Sequence, residues 1–154
     1  MPTSSRQKRL EKLRSHREKA VDDSLLALAR SRTAEDSAQR HLAAEAAELV
    51  RAQAERASAI GKTFDVNSLA EAHDWMLSCA RRRDVAEQQL HRAQAQVVKA
   101  QTLVVAAKND LKKIELVFER LRKKERALNE RIEQRQNDEL SAARLQHNRR
   151  RSEP

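Results

Sequence analysis

From Leu69 to Ile132 the apolar positions recur every seven residues, with no Gly or Pro between them. One row reads Leu69, Met76, Arg83, Leu90, Val97, Val104, Leu111, Phe118, Glu125 and Ile132. A second row, offset by three, reads Ala72, Cys79, Ala86, Ala93, Ala100, Ala107, Ile114, Leu121, Leu128 and Arg135. Rows of this kind are the a and d seams of a left-handed coiled coil, because a seven-residue repeat underwinds the helix and keeps one stripe facing its partner. The rhythm lasts about nine heptads, well beyond the three or four that identify a coiled coil. A protein built from such helices has no deep pocket in which to assemble catalytic groups.

A weaker apolar pattern precedes this one: Leu10, Leu13, Val21, Leu25, Leu28, Leu42, Ala46, Leu49 and Ile60. Between Leu28 and Leu42 it lapses into Ala, Arg and Gln. The pattern predicts a first helix over about 5–60, which needs a partner because propensity alone is marginal in water. The break is expected at 61–67. Gly61 suits the left-handed residue that ends a helix, and Ser68 with Glu71 has capping-box spacing, with Val66 or Asn67 able to shift that cap by a residue. A second helix follows over about 68–148, with a basic tail at 149–154. So short a turn between long helices makes an antiparallel hairpin. The expected fold is therefore all-α: two long helices in an antiparallel coiled-coil hairpin, the second longer than the first. Two registers one heptad apart satisfy the layering. In either, the second helix beyond about Glu125 outruns its mate while still carrying Leu128, Ile132 and Leu140.

Composition supports helix over globular core or disorder. Aromatics are 2% of the 154 residues, charged residues are 36%, and Gly61 is the single glycine. The common residues are strong helix formers. Alanine at successive d positions lets two backbones approach closely. That slimness fits either a part that enters a ring or channel, or an ordinary coiled coil with a small-residue face.

The net charge of +9 is unevenly placed. Residues 1–19 hold seven Lys/Arg and two Glu; residues 108–154 hold fourteen bases and nine acids; the stretch between is near neutral. A hairpin brings the two ends together as one basic pole. The lone Cys79 cannot form an internal disulfide and fits a reducing compartment. No secretory leader and no membrane span are visible, so a cytoplasmic protein is expected.

No catalytic set, metal cluster or phosphate-binding glycine loop is present in the sequence, so no enzyme activity, metal or cofactor is expected. The five histidines are scattered, and the Arg81–Arg83 and Arg149–Arg151 runs lack stacking aromatics, so nucleic acid is not expected as a partner. The distinctive cluster is Phe64, Leu69, Trp75, Met76 and Cys79 beside the turn. Trp75, the only Trp, precedes Met76 and so falls at g, on the flank of the seam. It either anchors a partner or covers the end of the hairpin core.

Three features resemble the small coiled-coil stalk proteins of bacterial type III export, the FliJ/YscO/SctO family. The first is the plan itself, a two-helix rod with basic ends. The second is the segment Ser68–Cys79 with Trp75 inside it, followed by Glu87-Gln88-Gln89-Leu90. The third is the charged ending: Lys112-Lys113-Ile114-Glu115 through Arg126, then Arg131-Ile132-Glu133 and Gln136-Asn137-Asp138-Glu139-Leu140. Trp75 stands where flagellar members tend to carry Phe, and no Tyr lies near the turn, which leaves both a flagellar and an injectisome member open; the high Arg content and the scarcity of aromatics lean toward the injectisome, a virulence apparatus.

The resemblance implies a central-stalk role, with one end inside a hexameric secretion ATPase and the other on the cytoplasmic domain of the export gate, at the base of the apparatus. Carried over, Phe64, Leu69, Trp75, Met76 and Cys79 would contact the gate. Lys8, Arg9, Leu10, Leu13, Leu121, Arg122, Lys123, Lys124, Arg126, Leu128 and Ile132 would face the ATPase. Secretion chaperones are further implied partners, and a free monomer is expected. The other reading is a self-associating coiled-coil scaffold that dimerises through the overhanging end.

Overall fold

The computed structural model describes residues 5–61 and 65–151, with the side chains of 6 and 148–151 excepted. It contains two helices, α1 (Ser5–Gly61) and α2 (Val66–Arg151), and no strand among the described residues. They form the antiparallel coiled-coil hairpin expected, with α2 the longer at 86 residues against 57. The contacts divide into two units, one of residues 1–17 with 109–154 and one of residues 18–108.

On α2 the two predicted rows are the packed face. Each a and d residue from Leu69 to Leu121 is buried or half-buried, and Cys79, Ala86, Val97, Ala100 and Val104 are the most deeply covered. On α1 the seam differs from the apolar list read in the sequence. Its a row is Val21, Leu28, Glu35, Leu42, Leu49 and Arg56, and its d row is Leu10, Arg17, Ser24, Ser31, Ala38, Glu45, Ala52 and Ala59. Leu13, Leu25 and Ile60 lie outside these rows and are exposed. The apparent lapse between Leu28 and Leu42 is a continuous seam filled by Ser31, Glu35 and Ala38.

The seam serines satisfy their hydroxyls locally, whereas Arg56 Nε and Arg83 Nε are buried there without a hydrogen-bond partner. Ser24 Oγ donates to Ala20 O at 2.7 Å and Ser31 Oγ to Ala27 O at 3.0 Å. A serine that bonds back one turn satisfies its hydroxyl locally and takes up little room. Longer side chains reach the flank. In the first unit Arg17 pairs with Asp110 at 3.3 Å, and Gln7 donates to Glu125 at 2.6 Å. In the second, Arg82 pairs with Glu45 at 3.4 Å, and Arg56 reaches Met76 Sδ at 3.7 Å. These last two contacts set Leu28 level with the Val97–Val104 stretch.

The turn corrects two expectations. Gly61 does not adopt a left-handed conformation; it is the last residue of α1. The cap of α2 is Asp65 rather than Ser68. Its carboxylate accepts from Asn67 N–H at 3.1 Å and from Ser68 Oγ at 2.8 Å, and its carbonyl accepts from Leu69 N–H at 3.1 Å. Two carboxylate oxygens serve two donors at once, which a hydroxyl at Ser68 cannot do, so the helix starts at Val66. These bonds, first that from Ser68 and then that from the Asn67 amide, hold the Asp65 carboxyl below its ordinary value.

Two outcomes follow. Ala86→Leu, at a position with no exposed surface, lowers stability by about 1–3 kcal/mol in urea unfolding, whereas Gln88→Leu on the open face changes it little. Asp65→Ala speeds amide exchange in the first turn of α2. Since the folded-state pKa of Asp65 is depressed, its contribution is present above the usual carboxylate range and disappears as pH falls through the lowered value; exchange measured across an acid series shows that loss in the wild type and not in the variant.

Candidate functional site

The second unit carries one built surface cluster. Trp75 and Arg82 are seven residues apart and share the g flank of α2, one position before the seam residues Met76 and Arg83. The Arg82 guanidinium lies over the Trp75 ring, 5.0 Å from its centroid. Its Nη2 donates to Cys79 Sγ at 3.2 Å, and its Nε faces Glu45 at 3.4 Å. The bond to the Cys79 sulfur, then the Glu45 charge, raises the Arg82 pKa above its ordinary value. Arg82 is thereby fixed from three sides, with one face of the indole covered and the rest open; Trp75 is 43% exposed.

The five residues expected beside the turn do not form one surface. Trp75 is exposed, Leu69 and Met76 are half-buried, and Cys79 is completely buried. Met76 and Cys79 occupy the a and d rows, so their side chains are spent on holding α1 and α2 together. Phe64 lies outside the described residues. Arg82 and Glu45 were not among the sequence candidates. The available signal was a cation seven residues from the only Trp, on the same flank of a heptad.

In the first unit the expected residues divide in the same way. Leu10 and Leu121 are half-buried seam residues. Lys8, Arg9, Leu13, Arg122, Lys123, Lys124, Arg126, Leu128 and Ile132 are exposed. A shallow cleft is lined by Arg14, Glu115, Phe118, Glu119, Arg122 and Arg126. Lys123 pairs with Glu119 at 2.9 Å, and this bond holds the Glu119 carboxyl below its ordinary value. From Arg122 to His147 every residue is exposed. Leu128, Ile132, Leu140 and Leu145 thus stand open to solvent, at 45% to 66% exposure.

Among the described residues, no group of His, Cys, Asp or Glu could hold a metal ion, and no helix is long and apolar enough to cross a membrane. What the surfaces offer is contact chemistry: an indole clamped by a guanidinium, and a cationic helix with a sparse apolar stripe.

Since Trp75 is the sole indole and the chain has no Tyr, its emission reports on this cluster. Arg82→Ala shifts that emission to longer wavelength and increases quenching by acrylamide, with helicity by circular dichroism unchanged. An unshifted spectrum shows that the guanidinium does not cover the ring in solution.

The model of the family described as Flagellar FliJ protein matches residues 6–151. No curated protein and no solved structure matches the chain.

Proposed function

The chain belongs to the flagellar FliJ protein family, whose members are structural components of the flagellar and type III export apparatus, and from that premise we propose that it is the central stalk joining the export ATPase to the export gate. In this reading the first unit supplies the end that enters the ATPase ring. Lys8, Arg9, Leu13, Arg122, Lys123, Lys124, Arg126, Leu128 and Ile132 form the contacting surface, with Leu10 and Leu121 holding the two helices in place beneath it. The exposure of every residue from Arg122 to His147 carries the proposal. A helix bearing Leu128, Ile132 and Leu140 without cover is a surface that another protein completes.

The chemistry suits a moving contact. A stalk of two helices lacks six-fold symmetry, so the subunits around it meet different side chains and are held in different states. Exposed ion pairs are individually weak, and complementary charge speeds encounter more than it tightens binding. The stalk favours the assembled ring because it touches more of the ring than of a single subunit. It raises the partner's turnover and performs no hydrolysis itself.

At the other surface, Trp75 with Arg82 is the gate contact, with Leu69 beside it and Met76 and Cys79 supporting it from the seam. An exposed indole stacked under arginine is the kind of anchor that dominates small interfaces. Phe64 joins this set by resemblance alone. Secretion chaperones are further partners on this reading, and the protein works in the cytoplasm at the base of the apparatus. Its Arg content and its scarcity of aromatics, 2% of the chain, favour the injectisome form of the system.

Truncation after Lys124 abolishes stimulation of the cognate ATPase while the hairpin keeps its helicity; stimulation at the wild-type level removes the overhang from the mechanism. Trp75→Ala weakens binding to the gate domain roughly tenfold or more and leaves ATPase binding intact; retention of both reassigns Trp75 to packing. The open Leu128–Leu145 stripe also suits a scaffold that pairs with a second copy. Light scattering decides: a monomer mass near 17.7 kDa supports the stalk, and a stable dimer that the truncation disrupts supports the scaffold.

A further inference from the structure

On the flank opposite Trp75 and Arg82, the second unit has a cleft close to the turn, lined by Arg56, Ile60, Val66, Leu69, Ala70 and His73. Two polar atoms in its walls have no partner. Arg56 Nε and His73 Nδ1 are both buried from water, and neither makes a hydrogen bond. The rest of the guanidinium fares little better. Its Nη1 reaches only the Met76 sulfur, at 3.7 Å, and among the described residues no carboxylate pairs with it. A thioether is a weak acceptor. Arg56 is thus a half-buried cation in the a row with no anion beside it.

The walls around these two groups are uncharged. In an antiparallel coiled coil the e positions of both helices lie along one flank, with the b positions outside them, and Ile60, Val66 and His73, all e residues, meet in this cleft. From Ala43 to Ile60 on α1 and from Val66 to Ala80 on α2, no e or b position holds Asp, Glu, Lys or Arg. The outer positions of a coiled coil are normally its charged ones. Ile60 and Val66 stand at the rim, 59% and 64% exposed. The carboxylates nearby in sequence are placed elsewhere. Asp65 caps α2 through Asn67 and Ser68, Glu55 is at g on the other flank, and Asp74 is at f on the outer face.

We propose that the cleft takes a helical segment of another protein that presents one Asp or Glu carboxylate one turn from a Leu, Ile or Val side chain. The carboxylate carries the charge that Arg56 lacks, and its two oxygens accept from the guanidinium and from a proton on His73 Nδ1. Binding draws the half-buried guanidinium off the thioether. The desolvation already incurred at both nitrogens is then met by hydrogen bonds. The aliphatic side chain rests on Ile60, Val66 and Ala70. Arg56 and Ile60 are one helical turn apart, as are His73 and Ala70, so the partner's two groups stand at i and i+3 or i+4. A free inorganic anion leaves Ile60 and Val66 uncovered. Two copies of this chain, each at net +9, repel one another. The proposal does not rest on the stalk reading, because of the residues assigned to the gate only Leu69 lines the cleft, and Trp75 and Arg82 are on the other flank.

A photoreactive benzoyl-phenylalanine at 53 or 77, the e and b positions that flank the cleft away from the turn, opens the test in the full chain irradiated in the native cell. The expected product is joined to one segment of one protein, with Asp or Glu three or four residues from Leu, Ile or Val. A synthetic peptide of that segment, and a second with its carboxylate changed to the amide, are then titrated against the purified full chain and its Arg56→Gln variant. Each change alone weakens binding about tenfold, and the two together weaken it no further, because they remove the same pair. Helicity by circular dichroism stays at the wild-type value. If Arg56→Gln loses helicity, Arg56→Lys replaces it, and the loss of binding persists because the fork of N–H donors is gone. A segment without a carboxylate, cross-links to a second copy, to many unrelated proteins or to nothing, and losses that simply add all overturn the proposal. So does inorganic phosphate that displaces the peptide at millimolar concentration, which makes the cleft a site for free anions.

Discussion

Two helices are held together along one seam, and its most deeply buried positions are small residues. The most deeply buried side chains are Val21, Ala52, Cys79, Ala86, Val97, Ala100 and Val104, with no aromatic among them. Each buried alanine removes little apolar surface from water, so no single layer contributes much. Alanine compensates in two ways: it is the best helix former, and it lets the backbones draw close enough for dispersion contacts along the whole length. Stability is therefore distributed over many weak layers. Among the described residues the core is a narrow seam, and most large and charged side chains lie on the outer faces.

Where its layers are alanine the seam has little to fix its register, because alanine layers slide past one another with little change in fit. The polar residues of α1 supply what the alanines lack. Arg17 meets Asp110, and Glu45 meets Arg82. Moving α2 by one heptad would set Val117 or Leu103 in place of Asp110, and Gln89 or Trp75 in place of Arg82. Either shift leaves a half-buried charge facing an uncharged group, a loss larger than the modest value of the ion pair itself. The charged seam residues thus act mainly by excluding the neighbouring alignments.

The same chemistry explains what could be read from the sequence. The α2 seam was legible because its rows are apolar at nearly every step. The α1 seam was not, because Arg17, Ser24, Ser31, Glu35, Glu45 and Arg56 occupy it while Leu13, Leu25 and Ile60 sit outside it. Apolar periodicity finds a seam only where the seam is apolar; here one helix contributes the grease and the other much of the specificity. The cap was legible as a region but not as a residue, since Asp65 and Ser68 are both good caps and only geometry shows the serine donating to the aspartate. The site was legible in part. Trp75 at g was read as a flank residue, and it is one. Met76 and Cys79 were read as contacts although their own heptad positions place them in the seam.

The far part of α2 obeys a different rule. From Arg122 to His147 no partner helix covers it, so its helicity must come from its own residues. The stretch has no Gly, Pro or aromatic residue, one β-branched residue, Ile132, and is otherwise rich in Arg, Glu, Gln, Leu and Ala, the residues that lose least on entering a helix. Charges of both signs at spacings of three and four support it locally, as Lys123 and Glu119 do at its start. A more apolar stripe would hold a partner more firmly, but it would also favour aggregation before the partner arrived. Four large aliphatic residues spread over this length, among many more charges, give a helix that stays open in water.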